Sequence, residues 1–134
     1  MASPVYINVD FFPEYHKKIS VIPVIEVPYG STIYWRLNFR NFAKFRYDKI
    51  QFSFYFPYHT PFYSGDKNIK SKIDAPIQVI KGGEVRNEGE YKYGIKVENT
   101  EEDKVIYDED PYIIVLPPFK EYIFENIPNY PQRV

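Results

Sequence analysis

Residues 88–116 constrain the fold most strongly, because they read as two β-strands joined by an acidic connection. In the first strand, apolar or aromatic side chains recur at every second position, which is the period of a half-buried strand. One face carries Tyr91, Tyr93, Ile95 and Val97, and the other carries Lys92 and Lys96. The second strand covers residues 112–116, directly after Pro111. The sequence therefore predicts a hairpin here.

Strand patterns also occupy most of the preceding chain, at residues 5–9, 19–27, 32–39, 50–56 and 77–80. Pro23 and Pro28 place the second of these at a sheet edge or at a switch between sheets, since proline cannot donate to a ladder. Gly82 and Gly83 are predicted to end the last of them. Aromatic residues make up 19% of the chain, which also favours strands. We expect an all-β protein, an antiparallel two-sheet sandwich of about seven or eight strands.

The length of 134 residues fits one domain with its own core. We expect the sandwich in residues 1–116 and an aromatic, proline-rich extension in residues 117–134. A segment this aromatic is not typical of a solvated tail. The extension is predicted to pack on its own domain or on a neighbouring subunit, with contacts from Phe119, Tyr122, Phe124 and Tyr130.

Several of these segments resemble a known class of domain. A strand reading GSTIYWRLNF, a phenylalanine-rich strand, the pattern GxYxYxIxV and a final DPxIIV resemble cupredoxin-like and immunoglobulin-like sandwiches of extracytoplasmic proteins, over about residues 19–116. Cupredoxins hold copper with two His, a Cys and usually a Met. This chain has no Cys, its one Met is Met1, and residues 99–110 contain no His. The resemblance implies such a sandwich without a blue-copper site, and it slightly favours a location outside the cytoplasm.

Residues 57–66 form a loop rich in proline and tyrosine, in which Tyr58, His59 and Tyr63 are candidate contacts for a ligand or partner. His59 has two interpretations, a packing residue of the loop or a functional group. No serine lies in the context of a nucleophile elbow, and no Cys nucleophile exists. We therefore predict no catalytic residue and no cofactor.

The acidic residues of the hairpin form a candidate cation site, since calcium accepts carboxylate ligands from loops. The candidate ligands are Glu101, Glu102, Asp103, Asp108 and Asp110. Their spacing does not match an EF-hand loop. The other interpretation is a solvated turn whose like charges discourage association at a sheet edge.

Charge is distributed unevenly along the chain. Residues 1–83 contain 11 Lys and Arg against 6 Asp and Glu, whereas residues 84–110 contain 4 against 10. Basic residues alternate with aromatics around Trp35 and Phe39, as in some nucleic-acid binders. However, strand alternation turns these two rings away from Arg36 and Arg40, toward a core. Together with a pI near 6.1, this disfavours nucleic acid as a partner.

These observations lead to three functional hypotheses. The first is a non-catalytic binding or assembly module that associates with itself or with another protein. The alternative is a module that binds a glycan or another small ligand through exposed aromatics. The third is a cation-binding protein or metal-assisted enzyme. No apolar run reaches the length of a membrane-spanning helix, and the N-terminus lacks the pattern of a signal peptide.

Overall fold

The structure is a computed structural model that describes residues 3–12, 19–40, 49–99 and 104–118, with only the backbone described for residues 99 and 104–109. These residues form eleven β-strands, and no helix occurs among them, which confirms the all-β prediction. The strands are β1 (Pro4–Phe11), β2 (Ile19–Val21), β3 (Val24–Val27), β4 (Thr32–Phe39), β5 (Ile50–Tyr55), β6 (Asn68–Lys72), β7 (Ile77–Glu84), β8 (Gly89–Lys92), β9 (Gly94–Asn99), β10 (Lys104–Glu109) and β11 (Tyr112–Val115).

The strands pair in three sheets, with the orders β2-β1-β4-β7, β10-β9-β5-β6 and β3-β11-β8. The prediction of purely antiparallel sheets was wrong, because β1 pairs in parallel with β4 and β3 pairs in parallel with β11. The alternation of side chains has the same period in both kinds of pairing. A single sequence therefore does not reveal which neighbours run in parallel.

The hairpin predicted for residues 88–116 is present and joins the second and third sheets. β8 and β9 are separated only by Tyr93, and β10 and β11 only by residues 110–111. At this interruption the Tyr93 amide donates to the Pro111 carbonyl oxygen at 3.0 Å. The predicted inward face is confirmed, since Tyr91, Tyr93, Ile95 and Val97 are all buried.

The strand predicted for residues 19–27 changes sheets at Pro23. β2 pairs with β1 in the first sheet, whereas β3 pairs with β11 in the third. Because this segment and both arms of the hairpin are each divided into two strands, the structure has more strands than the seven or eight predicted. β6, with the sequence NIKSK, was not predicted, because it lies at the edge of its sheet and none of its side chains is fully buried.

Gly82 and Gly83 lie inside β7, so the prediction that they end the strand was wrong. The register between β4 and β7 shifts between Ile33 and Tyr34, and Gly82 falls at this irregularity. A Cβ atom on Gly82 would lie 2.7 Å from Cζ3 of Trp35 and 3.0 Å from Cζ of Phe62. Glycine is required here because two core rings approach the backbone.

Aromatic rings connect the first sheet to the second. Trp35 of β4 stacks on Phe54 of β5 with ring centroids 4.1 Å apart and planes 8° from parallel. Phe62 and Tyr93 contact other parts of the indole, at centroid distances of 6.2 and 5.7 Å. The indole Nε1 donates to the Tyr93 hydroxyl at 3.3 Å, so the buried indole N–H has a hydrogen-bond partner.

We expect Gly82→Ala to lower the free energy of unfolding by about 1–3 kcal/mol, because the added methyl group displaces Trp35 from a packed core. Urea denaturation checks this value. Val79→Thr is the control on the same strand, since the Val79 side chain is 50% exposed and we expect its replacement to change stability by no more than about 0.5 kcal/mol. Equal losses in the two variants would contradict the explanation given for Gly82.

We expect Tyr93→Phe to cost about 1–3 kcal/mol of stability, because it leaves the buried indole N–H of Trp35 without an acceptor while changing the packed volume little. Thermal and urea denaturation measure the loss. Tyr112→Phe removes a hydroxyl from a side chain that is 39% exposed, and we expect its effect to stay within about 0.5 kcal/mol. A Tyr93→Phe variant as stable as this control would show that the hydrogen bond contributes nothing.

Candidate functional site

Three loops meet at one end of the sheets, at residues 28–31, 57–67 and 84–89. The Gly30 amide donates to the Val85 carbonyl oxygen at 2.7 Å, and the Val85 amide donates to that of Ser31 at 2.8 Å. Phe62 forms a β-bridge with Val85. We call these loops the tyrosine end, because three exposed tyrosines lie on them: Tyr29, Tyr58 and Tyr63.

Tyr63 is 71% exposed, yet its backbone is firmly held. The Tyr63 amide donates to the Glu84 carbonyl oxygen at 2.8 Å, and the preceding residue, Phe62, is buried in the core. The guanidinium of Arg86 lies 5.0 Å from the Tyr63 ring centroid and pairs with the Glu84 carboxylate. The hydrogen bond that Nε of Arg86 donates to the Glu84 carboxylate raises the pKa of Arg86. Tyr63 is therefore an exposed ring on a rigid support.

Tyr58 and His59 belong to the same end but differ in their environment. Tyr58 is 72% exposed, and its carbonyl oxygen accepts from Nζ of Lys67 at 3.4 Å. The His59 ring packs edge-on against Tyr91, with centroids 4.6 Å apart. The three residues predicted as contacts thus lie on one loop, and the structure gives His59 a packing contact with Tyr91.

Tyr91 and Thr60 brace the loops from within. The Tyr91 hydroxyl donates to the Asn87 carbonyl oxygen at 2.9 Å. Burial raises the pKa of Tyr91, and the nearby Glu88 carboxylate raises it further. The Thr60 hydroxyl donates to the Asp66 carbonyl oxygen at 2.6 Å. These two hydroxyl groups therefore hold the backbone of the loops that carry the exposed tyrosine rings.

Most of the predicted acidic cation site lies outside the described side chains. Glu101, Glu102 and Asp103 fall outside the described residues, and only the backbone of Asp108 is described. Asp110 is exposed, and its Oδ2 lies 3.8 Å from Nζ of Lys92. Among the side chains that the structure describes, no three His, Cys, Asp or Glu residues are grouped so that they could hold a metal ion. The cation site remains a prediction.

A groove of about 410 Å³ lies where the chain switches from the first sheet to the third. It is lined by Tyr6, Ile7, Asn8, Asp10, Ser20, Val21, Ile22 and Ile25. None of these residues was predicted as a site, because each belongs to a strand pattern or to the link between two strands. The one signal in the sequence was Pro23, which marked the switch but not the space beside it.

The predicted contacts Phe119, Tyr122, Phe124 and Tyr130 lie outside the described residues. The structure does describe where the chain leaves the sheet: the Leu116 amide donates to the Val27 carbonyl oxygen at 2.9 Å. Val27 immediately precedes the loop of residues 28–31. The C-terminal segment therefore begins beside the tyrosine end.

Comparison with protein-family models and with curated protein sequences finds no match for this chain. Over the ranges that the structure describes, it contains no helix long and apolar enough to cross a membrane.

We expect stability to fall as the pH rises above about 10, the ordinary pKa of tyrosine, because the folded state raises the pKa of Tyr91. Below that pH the phenol is protonated in both states. Above it, the unfolded chain releases the proton first, so unfolding becomes more favourable until the pH passes the folded pKa. Urea denaturation from about pH 8 to 11 should show a shallower loss in Tyr91→Phe than in the unaltered protein, each relative to its own value at pH 8. Identical slopes would contradict the assignment.

Proposed function

We propose that this protein is a non-catalytic assembly module, a β-sandwich of the cupredoxin-like or immunoglobulin-like kind that associates with a second copy of itself through the tyrosine end. The observation that carries the proposal is the exposure of Tyr58 and Tyr63, at 72% and 71%, on loops that are braced by hydrogen bonds. The stacking of Trp35 on Phe54, between strands of different sheets, supports the sandwich.

The residue types at this end are those that carry binding energy in protein interfaces. Tyr and Arg are enriched among interface hot spots, and rigid aromatic side chains lose little conformational entropy when they are buried. Complete burial of the exposed parts of Tyr58 and Tyr63 would remove roughly 200–350 Å² from water. A standard interface buries about 800 Å² on each partner. The two tyrosines therefore supply a centre for an interface, and neighbouring residues must supply the rest.

A second copy is the favoured partner because of the course of the chain. Leu116 lies beside the tyrosine end, where its amide donates to the Val27 carbonyl oxygen, and the sequence after it includes Phe119, Tyr122, Phe124 and Tyr130. In each copy, an aromatic sequence therefore follows directly on the part of the chain that lies beside the exposed tyrosines. Two copies related by a twofold axis can exchange these contacts, as closed dimers do.

A glycan is the second candidate for the same surface. The arrangement of Tyr63 favours it, since Arg86 lies over the ring and Glu84 holds the guanidinium in place. A ring fixed in this way can stack on the apolar face of a sugar, while the charged pair offers hydrogen bonds.

Light scattering of the intact chain tests the assembly proposal. We expect a dimer or larger oligomer, and we expect Tyr58→Ser combined with Tyr63→Ser to shift it toward the monomer by at least tenfold in dissociation constant, because two interface rings are lost. Tyr112→Ser is the control, since this tyrosine lies on β11 away from the loops.

A chain ending at Pro117 should show the same loss of association. An intact protein that is monomeric over the whole concentration range would overturn the proposal. So would an oligomer that is unaffected by both the double variant and the truncation. In either case the glycan becomes the favoured partner of the tyrosine end.

A further inference from the structure

We propose that the groove between β1 and the switch from β2 to β3 binds a neutral, polyhydroxylated ligand of the carbohydrate class. This site is separate from the tyrosine end, and the inference goes beyond the assembly function. It rests on the shape of the groove, on its combination of polar and apolar side chains, and on the rigidity of its walls.

The size of the groove suits a small ligand. Its volume of about 410 Å³ lies within the range of small-molecule sites, about 300–1,000 Å³. The groove is formed by the fold itself, because Pro23 ends the pairing of β2 in the first sheet and starts β3 toward the third. Side chains of both strands, Val21 and Ile25, contribute to its wall.

Tyr6 provides an aromatic surface in the groove. Its ring is 45% exposed and stacks on Tyr34, with centroids 5.3 Å apart and planes 23° from parallel. The guanidinium of Arg36 lies 4.7 Å from the Tyr6 ring centroid. Neighbours on β4 therefore hold the ring in one orientation, as a binding surface requires. Ile22, which is 49% exposed, adds an apolar side chain to the lining.

Asn8, Asp10 and Ser20 provide the polar groups. An amide and a hydroxyl can each donate and accept hydrogen bonds, which suits ligand hydroxyls that also do both. Oδ1 of Asp10 accepts a hydrogen bond from Arg40 at 3.2 Å. The carboxylate has a second oxygen that can also act as an acceptor. The ion pair with Arg40 balances the charge of Asp10, so the groove favours a neutral ligand over a cation.

The combination of an aromatic ring, aliphatic side chains and several hydrogen-bonding groups defines the ligand class. A sugar presents C–H groups on one face and hydroxyls around its edge, and it can therefore satisfy both kinds of side chain at once. A purely apolar ligand would leave Asn8 and Ser20 desolvated without partners.

Titration of the ¹⁵N-labelled full-length protein with neutral oligosaccharides of glucose, mannose, xylose and N-acetylglucosamine tests the proposal by amide chemical shifts. We expect at least one of these sugars to shift signals from residues 6–10 and 20–25. Asn8→Ala should weaken that binding about five- to tenfold, because one hydrogen-bonding side chain is lost. Asn68→Ala, on the edge strand β6, is the matched control and should leave binding unchanged.

The amide spectrum of each variant also reports whether it folds, and Ser20→Ala gives a second test if Asn8→Ala does not. The proposal is overturned if none of the four sugars binds. It is also overturned if the shifts fall on the loops around Tyr58 and Tyr63, or if Asn8→Ala and Asn68→Ala bind equally well. Light scattering in the presence of the sugar separates this site from assembly, since a ligand in the groove should leave the oligomeric state unchanged.

Discussion

The stack of Trp35 on Phe54 is the interaction on which the rest of the structure depends. It connects the central strand β4 of the first sheet to β5 of the second, and both side chains are fully buried. The neighbouring residues accommodate the large indole ring. Gly82 provides room for the indole on the neighbouring strand, and Tyr93 accepts the indole N–H. An aromatic core of this kind combines large buried areas with a geometry that tolerates little rearrangement.

The same core determines the rigidity of the tyrosine end. Phe62 packs edge-on against both Trp35 and Phe56, at centroid distances of 6.2 and 5.3 Å. Because Phe62 is fixed in the core, the next residue, Tyr63, leaves the core from a defined position. Exposed and buried aromatics therefore alternate along one loop, with the buried members holding the exposed ones. This arrangement explains how a loop can present large rings to solvent and keep a defined backbone.

Much of this fold was predictable from side-chain alternation, since the inward faces of β4, β5 and β9 follow it closely. The sheet order and the parallel pairs were not predictable, because alternation records only which residues face the core and not which strands are neighbours. Gly82 shows the limit of reading single residues: glycine suggests a strand end, but here it fits beneath Trp35 and Phe62. Tyr58, His59 and Tyr63 were predicted as contacts from the unusual composition of their loop, and the structure shows that Tyr58 and Tyr63 are exposed there. The groove was not predicted because its polar side chains, Asn8, Asp10 and Ser20, alternate with buried residues of β1 and β2, as the polar face of any half-buried strand does.

The strand switch at Pro23 also limits how far the sheets can move against each other. Only Ile22 and Pro23 separate β2 from β3, so the Cα atoms of Val21 and Val24 can lie at most about 11 Å apart. The chain bends at Pro23 within this link, so the end of β2 and the start of β3 are held close together. The connection of residues 73–76 between β6 and β7 makes a second short crossing. Relative sliding of the sheets is thus restrained by the covalent chain as well as by packing, and large changes of shape are left to the loops at their ends.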